Sequence, residues 1–178
     1  MRALSALGAA IEAANALIGR AAVWLLLAAV LLSAGNAVMR KAFSLSSNAM
    51  LEAQWYLIGT LVMLAAPWVL QCNAHVRIEL LSSRFSARGR KLVELFGHLL
   101  MLLPFTGLLF WMSLPFFLRS YRQGEMSLNA GGLPVWPMRG MVMLGFALLT
   151  LQALASIIRL LREWQDPAEG GDAGALAR

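Results

Sequence analysis

Cysteine is almost absent from this 178-residue chain. The single Cys72 can form no intrachain disulfide and anchors no metal cluster. Histidine is nearly as scarce, with only His75 and His98. His98 alone falls inside an apolar run, whereas a bis-histidine haem needs two histidines at matching depth on facing helices, so a haem subunit is not expected. Charge is sparse, at 13% of residues, against about 25% in soluble domains. Carboxylates are missing from the middle of every apolar run: Glu52, Glu94 and Glu163 each stand near an end. A proton-coupled exporter would want one well inside, because ionisable groups at membrane depth mark ion pathways. A glycine-rich phosphate loop, a Ser–His nucleophile pair and metal-ligand spacing are missing as well. Catalysis, a resident cofactor and a resident metal are therefore not expected.

What the chain has instead is apolar length. Hydrophobic residues make up 60% of it, and the mean hydropathy is +0.68. Four apolar stretches cover residues 21–39, 51–72, 92–118 and 138–161. Each is near or above the roughly 20 residues that an α-helix needs to cross a bilayer. They leave no room for a sizeable water-soluble domain. The expected fold is all-α and membrane-embedded, a single four-helix domain over residues 1–164 with short interfacial amphipathic helices. The N-terminus is read as retained, since its first strongly apolar run is longer than a signal-peptide core and no small-residue cleavage site follows it.

The pI near 10.7 could point to nucleic acid. The basic residues, however, stand at the ends of apolar runs rather than in a patch interleaved with polar surface, so nucleic acid is not an expected partner. Their distribution sets topology. Ten share the side of the termini and the second connection: Arg2, Arg20, Arg77, Arg84, Arg88, Arg90, Lys91, Arg159, Arg162 and Arg178. Five share the other side: Arg40, Lys41, Arg119, Arg122 and Arg139. The positive-inside rule puts both termini in the cytoplasm of a multi-pass protein. The cluster from Arg84 to Lys91 adds attraction to anionic lipid headgroups.

Ahead of the first span, Leu4, Leu7, Ile11, Ala14 and Ile18 repeat at steps of three and four, opposite Ser5, Glu12 and Asn15. This predicts an interfacial helix leading into the span. The second span opens with Glu52, Trp55 and Tyr56, the aromatics suiting the headgroup level. Pro67 should disturb its inner end, and Pro104 and Pro115 should bend the long third span. Within residues 75–90, His75-Val76-Arg77-Ile78-Glu79-Leu80 alternates polar and apolar, but a lone strand at a bilayer has no backbone partners, so a short interfacial helix is expected there. The connection 119–137, with Gly-Gly-Leu-Pro and Trp-Pro, should form a fixed turn. The tail 165–178 is acidic and rich in glycine and alanine, which predicts disorder. Whether the four spans close into a bundle or splay is open.

Few residues stand out as functional. Arg40 and Glu52 both lie at the outer end of the first hairpin, where a salt bridge across the hairpin and contact with a partner protein are both consistent with their positions. Trp55 and Trp136 suit an aromatic belt, with partner contact as the alternative. Arg77 with Glu79 suits a headgroup-level ion pair or a docking point.

A set of short motifs runs in order along the chain. Asn36, Arg40 and Phe43 close the first span; Asn48, Glu52 and Gln54-Trp55-Tyr56-Leu57 open the second. His75-Val76-Arg77-Ile78-Glu79-Leu80-Leu81 follows it, and Leu103-Pro104-Phe105 lies in the third span. The outer connection carries Ser120-Tyr121-Arg122, Gly124-Glu125, Ser127, Asn129-Ala130-Gly131-Gly132-Leu133-Pro134 and Trp136-Pro137. Gly145-Phe146-Ala147-Leu148-Leu149 and Gln152 lie in the fourth span. In this order the chain resembles the small permease subunit of the tripartite ATP-independent periplasmic (TRAP) transporters, the DctQ-type family, from about the first span to Arg162.

The resemblance implies a bacterial inner-membrane complex driven by Na⁺. In it a periplasmic substrate-binding protein delivers an organic anion to a large permease subunit, and the small subunit braces that subunit's scaffold. Membrane lipids and these two proteins are the implied partners. Gly124, Glu125, Asn129, Gly131 and Gly132 in the outer connection become candidates for touching the binding protein, and Arg40, Glu52, Trp55, Arg77, Glu79 and Trp136 for the interface between subunits. The rival reading is a self-sufficient four-helix membrane protein, either a small exporter or a quinone-linked anchor.

Overall fold

The computed structural model describes residues 2–44, 47–72 and 87–165. His75, Arg77, Glu79 and most of the interfacial segment expected after the second span, together with the tail beyond residue 165, lie outside the described residues. Five α-helices are present among the described residues: α1 (Arg2–Phe43), α2 (Asn48–Gln71), α3 (Ala87–Phe96), α4 (Leu103–Gln123) and α5 (Trp136–Gln165). A π-helical stretch, Gly97–Leu102, joins α3 to α4 into one continuous rod. Four segments are long and apolar enough to cross a membrane, and no strand occurs among the described residues.

The helices run antiparallel in chain order, so one end of the molecule carries Arg2 and Gln165 and the other carries Phe43, Asn48 and the 124–135 loop. α5 is the central element, packing against α1, α2 and α4. α1 and α2 form a close hairpin, while α4 makes its substantial inter-span contacts with α5, so the arrangement is splayed rather than closed. At 1.5 Å per residue α1 is about 63 Å long and α5 about 45 Å. The hydrocarbon layer is only about 30 Å thick, so these helices tilt or project beyond it.

Small and polar residues fill the interior. In α1 the buried positions Gly8, Asn15, Ala22, Ala29 and Asn36 recur every seventh residue, and in α4 Thr106, Ser113 and Ser120 do the same. α5 contributes Gln152, Ala153, Ala155, Ser156, Ile157 and Leu160. Large side chains point out: Trp24 is 71% exposed and Trp55 75%. A water-soluble helix bundle would show the reverse. In lipid there is no hydrophobic drive to bury leucine against leucine, so close backbone approach through small residues and hydrogen bonds between helices hold the spans together.

The amino-terminal part of α1 differs from the expected interfacial helix in two respects. It is continuous with the first span: residues 2–43 form one helix, with Gly8 and Gly19 inside it where α1 packs against α5 and α2. It also turns its polar side inward. Glu12 pairs with Arg159 at 3.2 Å, Asn15 Nδ2 donates to Gln152 Oε1 at 2.8 Å within the interior, and Gly8 faces Ile158. Leu4, Leu7 and Leu17 are left exposed. The mild polarity of Glu12 and Asn15 therefore serves attachment to α5 rather than contact with water.

This pairing can be measured. Replacing Asn15 by leucine leaves Gln152 Oε1 without its donor and should destabilise the fold by about 0.6–2 kcal/mol, the span seen for such bonds in membranes. Replacing both Asn15 and Gln152 by leucine should recover most of that loss, because no orphaned group remains. Thermal unfolding of the two single variants and the double variant in detergent closes the cycle. Strictly additive losses would contradict the pairing.

Proline explains the irregular third span. Pro104 has no N–H for the carbonyl four residues back, and the helix widens just before it: the Leu103 N–H bonds to the His98 carbonyl, five residues earlier. Thr106 Oγ1 donates back to the Leu102 carbonyl at 2.9 Å, so its hydroxyl is satisfied within its own helix. His98 Nδ1 lies 2.8 Å from the Glu94 carbonyl, so this histidine is engaged with its own helix.

Candidate partner interface on the loop between α4 and α5

The loop begins where α4 is stopped. Gly124 takes the left-handed conformation (φ +56°), its N–H bonds to Tyr121 O at 3.3 Å, and Glu125 N–H reaches Ser120 O at 3.1 Å. This is a Schellman ending, and glycine adopts it without steric penalty. The chain then doubles back. Ser127 N–H donates to Leu133 O and Val135 N–H to Glu125 O, both at 2.9 Å, around a bridge between Met126 and Pro134. The reversal is a turn closed by Gly132 N–H to Asn129 O at 2.9 Å, with Gly131 at φ +69°. Trp136-Pro137 starts α5, where proline's missing N–H costs nothing.

A carboxylate from a different helix holds this hairpin-like loop. Glu52, buried in the first turns of α2, accepts from the Ser127 hydroxyl and from Asn129 Nδ2 (2.6 Å) on Oε1, and from Leu133 N–H (2.7 Å) on Oε2. Two further ties come from α2: Asn48 Nδ2 to Ala130 O at 3.0 Å and Tyr56 hydroxyl to Pro134 O at 3.1 Å. Gly132 packs so tightly that a Cβ there would lie 2.7 Å from Ser127 Cβ and 2.9 Å from Glu52 Oε1. On the other flank Arg139 forms a two-point ion pair with Glu125 (2.6 and 2.7 Å) and lies 3.8 Å over the Phe116 ring. Tyr121 and Trp136 meet edge to face at 5.3 Å.

These contacts set what the loop can do. The donors around Glu52 are N–H and O–H groups, which orient toward a carboxylate and away from a cation, so Glu52 holds the chain rather than an ion. Among the described residues no group of three or more His, Cys, Asp or Glu could hold a metal. The loop presents a fixed surface and carries no reactive centre.

The residues singled out in the sequence separate into two sets. Glu52, Gly124, Glu125, Asn129, Gly131, Gly132 and Trp136 come together in this one structure. Arg40 is exposed near the end of α1, and Glu52 is taken up by the loop, so the salt bridge considered for that pair is not formed. Trp55 projects outward from α2. Arg139 was read only as a topology-setting charge, and its position fourteen residues after Glu125, across two turn signals, was the available hint of pairing. The backbone N–H of Leu133 and the carbonyls of Ala130 and Pro134 left no trace in side-chain chemistry.

Comparison with known proteins gives one result. A family model described as "Tripartite ATP-independent periplasmic transporters, DctQ component" matches residues 29–163, a stretch that takes in the outer part of the first span, the loop and the remaining spans. No curated protein and no solved structure matches the chain.

Proposed function

The chain belongs to the DctQ component family of tripartite ATP-independent periplasmic transporters, a membrane subunit of a transporter and not an enzyme, and from that premise we propose that it is a passive brace for a larger permease subunit. The observation that carries this reading is the distribution of polarity. Among the described residues the one carboxylate buried in a span, Glu52, is consumed in holding a loop, the polar groups of the interior are small or amide side chains, and the largest apolar side chains face outward. A helix set of this kind offers area to a neighbour and no path to a solute.

The large permease subunit then holds the substrate and the Na⁺ sites, and the solute is an organic anion handed over by a periplasmic substrate-binding protein. With ten basic residues on the side of the termini against five on the loop side, the termini lie in the cytoplasm and the 124–135 loop faces the periplasm of a bacterial inner membrane. Exposed Trp24, Trp55 and Trp111 contact the larger subunit or lipid. Arg77 and Glu79 serve the same complex at the cytoplasmic surface.

Uptake into proteoliposomes by the large subunit with and without this chain tests the proposal. Na⁺-driven uptake should require both. Full transport by the large subunit alone would end the bracing role, and transport by this chain alone would end its passivity.

A further inference from the structure

We propose that Leu128 is the apolar anchor of a docking surface for a soluble protein whose contact patch is an apolar socket edged with carboxylates. The inference rests on the periplasmic placement of the loop given above and adds the contact residue and the chemistry of the partner.

Leu128 is 105% exposed, as open as the residue can be, and Met126 beside it is 56% exposed. A mobile loop could hide such a side chain, but this one is pinned on both sides. Ser127 and Asn129, its immediate neighbours, both reach inward to Glu52, and Ala130 is held by Asn48. The side chain is therefore pre-ordered for contact, which lowers the entropy cost of binding. Its level follows from the same bonds. Asn48 is the first residue of α2 and Glu52 precedes Trp55, the exposed aromatic suited to the headgroup layer. Leu128 thus stands beyond the aromatic belt, on the aqueous side, where lipid does not cover it.

Charge supplies the second half. This end of the molecule carries Arg40, Lys41, Arg119, Arg122 and Arg139 against two acidic residues, Glu52 and Glu125. Both acids are engaged within the chain, and Arg139 is spent on Glu125. Arg40 and Lys41 at the end of α1, and Arg119 and Arg122 at the end of α4, remain exposed on the two helices that lead to this surface. Positive ends flatter the helix dipoles, yet they also leave the loop surface with exposed cations and no exposed free carboxylate among the described residues. Residues 126–134 themselves carry no charge. An uncharged apolar tip within a cationic rim complements an acidic protein surface with an apolar pocket.

The test uses the two-subunit complex in nanodiscs and the substrate-binding protein of the same transport system as probe. Leu128→Ser should weaken binding roughly tenfold, the loss expected for one buried leucine, with its salt dependence unchanged. Replacing Arg40 and Lys41 by glutamine should slow association and flatten the salt dependence. In a second measurement, Cys72→Ser removes the native thiol, and an environment-sensitive dye on Leu128→Cys should shift to the blue only when the binding protein is added. If wild-type binding depends on this chain but Leu128→Ser binds equally well, the anchor is wrong and the placement of the loop stands. If the large subunit alone binds the probe as tightly, the placement itself fails. A dye already blue-shifted before the probe is added would assign Leu128 to lipid and overturn the inference.

Discussion

Replacing Glu52 by alanine should free the loop while leaving the spans folded. Three donors lose their acceptor at once: the Ser127 hydroxyl, Asn129 Nδ2 and the Leu133 N–H. The remaining ties, Asn48 to Ala130 and Tyr56 to Pro134, hold the backbone at two points but do not fix the turn between them. Hydrogen exchange of peptides covering residues 124–135 should accelerate by about tenfold or more, the scale set by losing charge-assisted hydrogen bonds, while peptides from α5 keep their protection. Glu52→Gln should fall between, since its amide keeps the shape but presents donors to at least one donor. On the docking proposed above, binding of the substrate-binding protein should weaken in the same order, because an ordered loop becomes one that must be ordered on contact. Unchanged exchange in the alanine variant would mean that the carboxylate is incidental to the loop's structure.

Glu52 also marks the limit of what the sequence could say. A carboxylate at the start of an otherwise apolar span was conspicuous, and its partners were all quoted as motif residues, yet nothing in the order Ser127, Asn129, Gly132, Leu133 indicates that they converge on a glutamate some 75 residues earlier. Hydropathy period and length located all four spans because each is a local property of about 20 residues. The fixed outer turn was legible for the same reason, through glycine and proline at set offsets. In sequence the first half of α1 reads as an interfacial helix, with Leu4, Leu7 and Ile11 on its apolar face and Ser5, Glu12 and Asn15 on the polar one. Leu4 and Leu7 do face outward, but the polar side is the packed one, since Glu12 and Asn15 bond to α5. In lipid the seven-residue recurrence of Gly8, Asn15, Ala22 and Ala29 is the better guide to the packed side. The continuity of α1 and the wide turn before Pro104 depend on tertiary packing and on how one missing N–H is absorbed, and single-residue signals do not encode either.

Gly145 should tolerate a side chain poorly. It lies where α5 crosses α2, and a Cβ there would sit 2.7 Å from Met63 Cβ and 3.0 Å from Met63 O. The second contact has a cause four residues along. Pro67 cannot donate to the Met63 carbonyl, so that oxygen is released from the helical ladder and faces the neighbouring glycine. A Cα–H in that position offers it a weak hydrogen bond, and a methyl group would remove the approach altogether. Gly145→Ala should therefore cost about 1–3 kcal/mol through backbone displacement, and Gly145→Leu should separate the two helices enough to lower the yield of folded protein. Gly107 is the control, since nothing lies within 4 Å of a Cβ built there. Gly107→Ala should be neutral or stabilise by up to about 1 kcal/mol through helix propensity alone. Thermal unfolding in mild detergent, followed by tryptophan fluorescence, separates the cases. If Gly145→Ala were as stable as wild type, the close crossing of α2 and α5 at the freed Met63 carbonyl could not be what sets their packing.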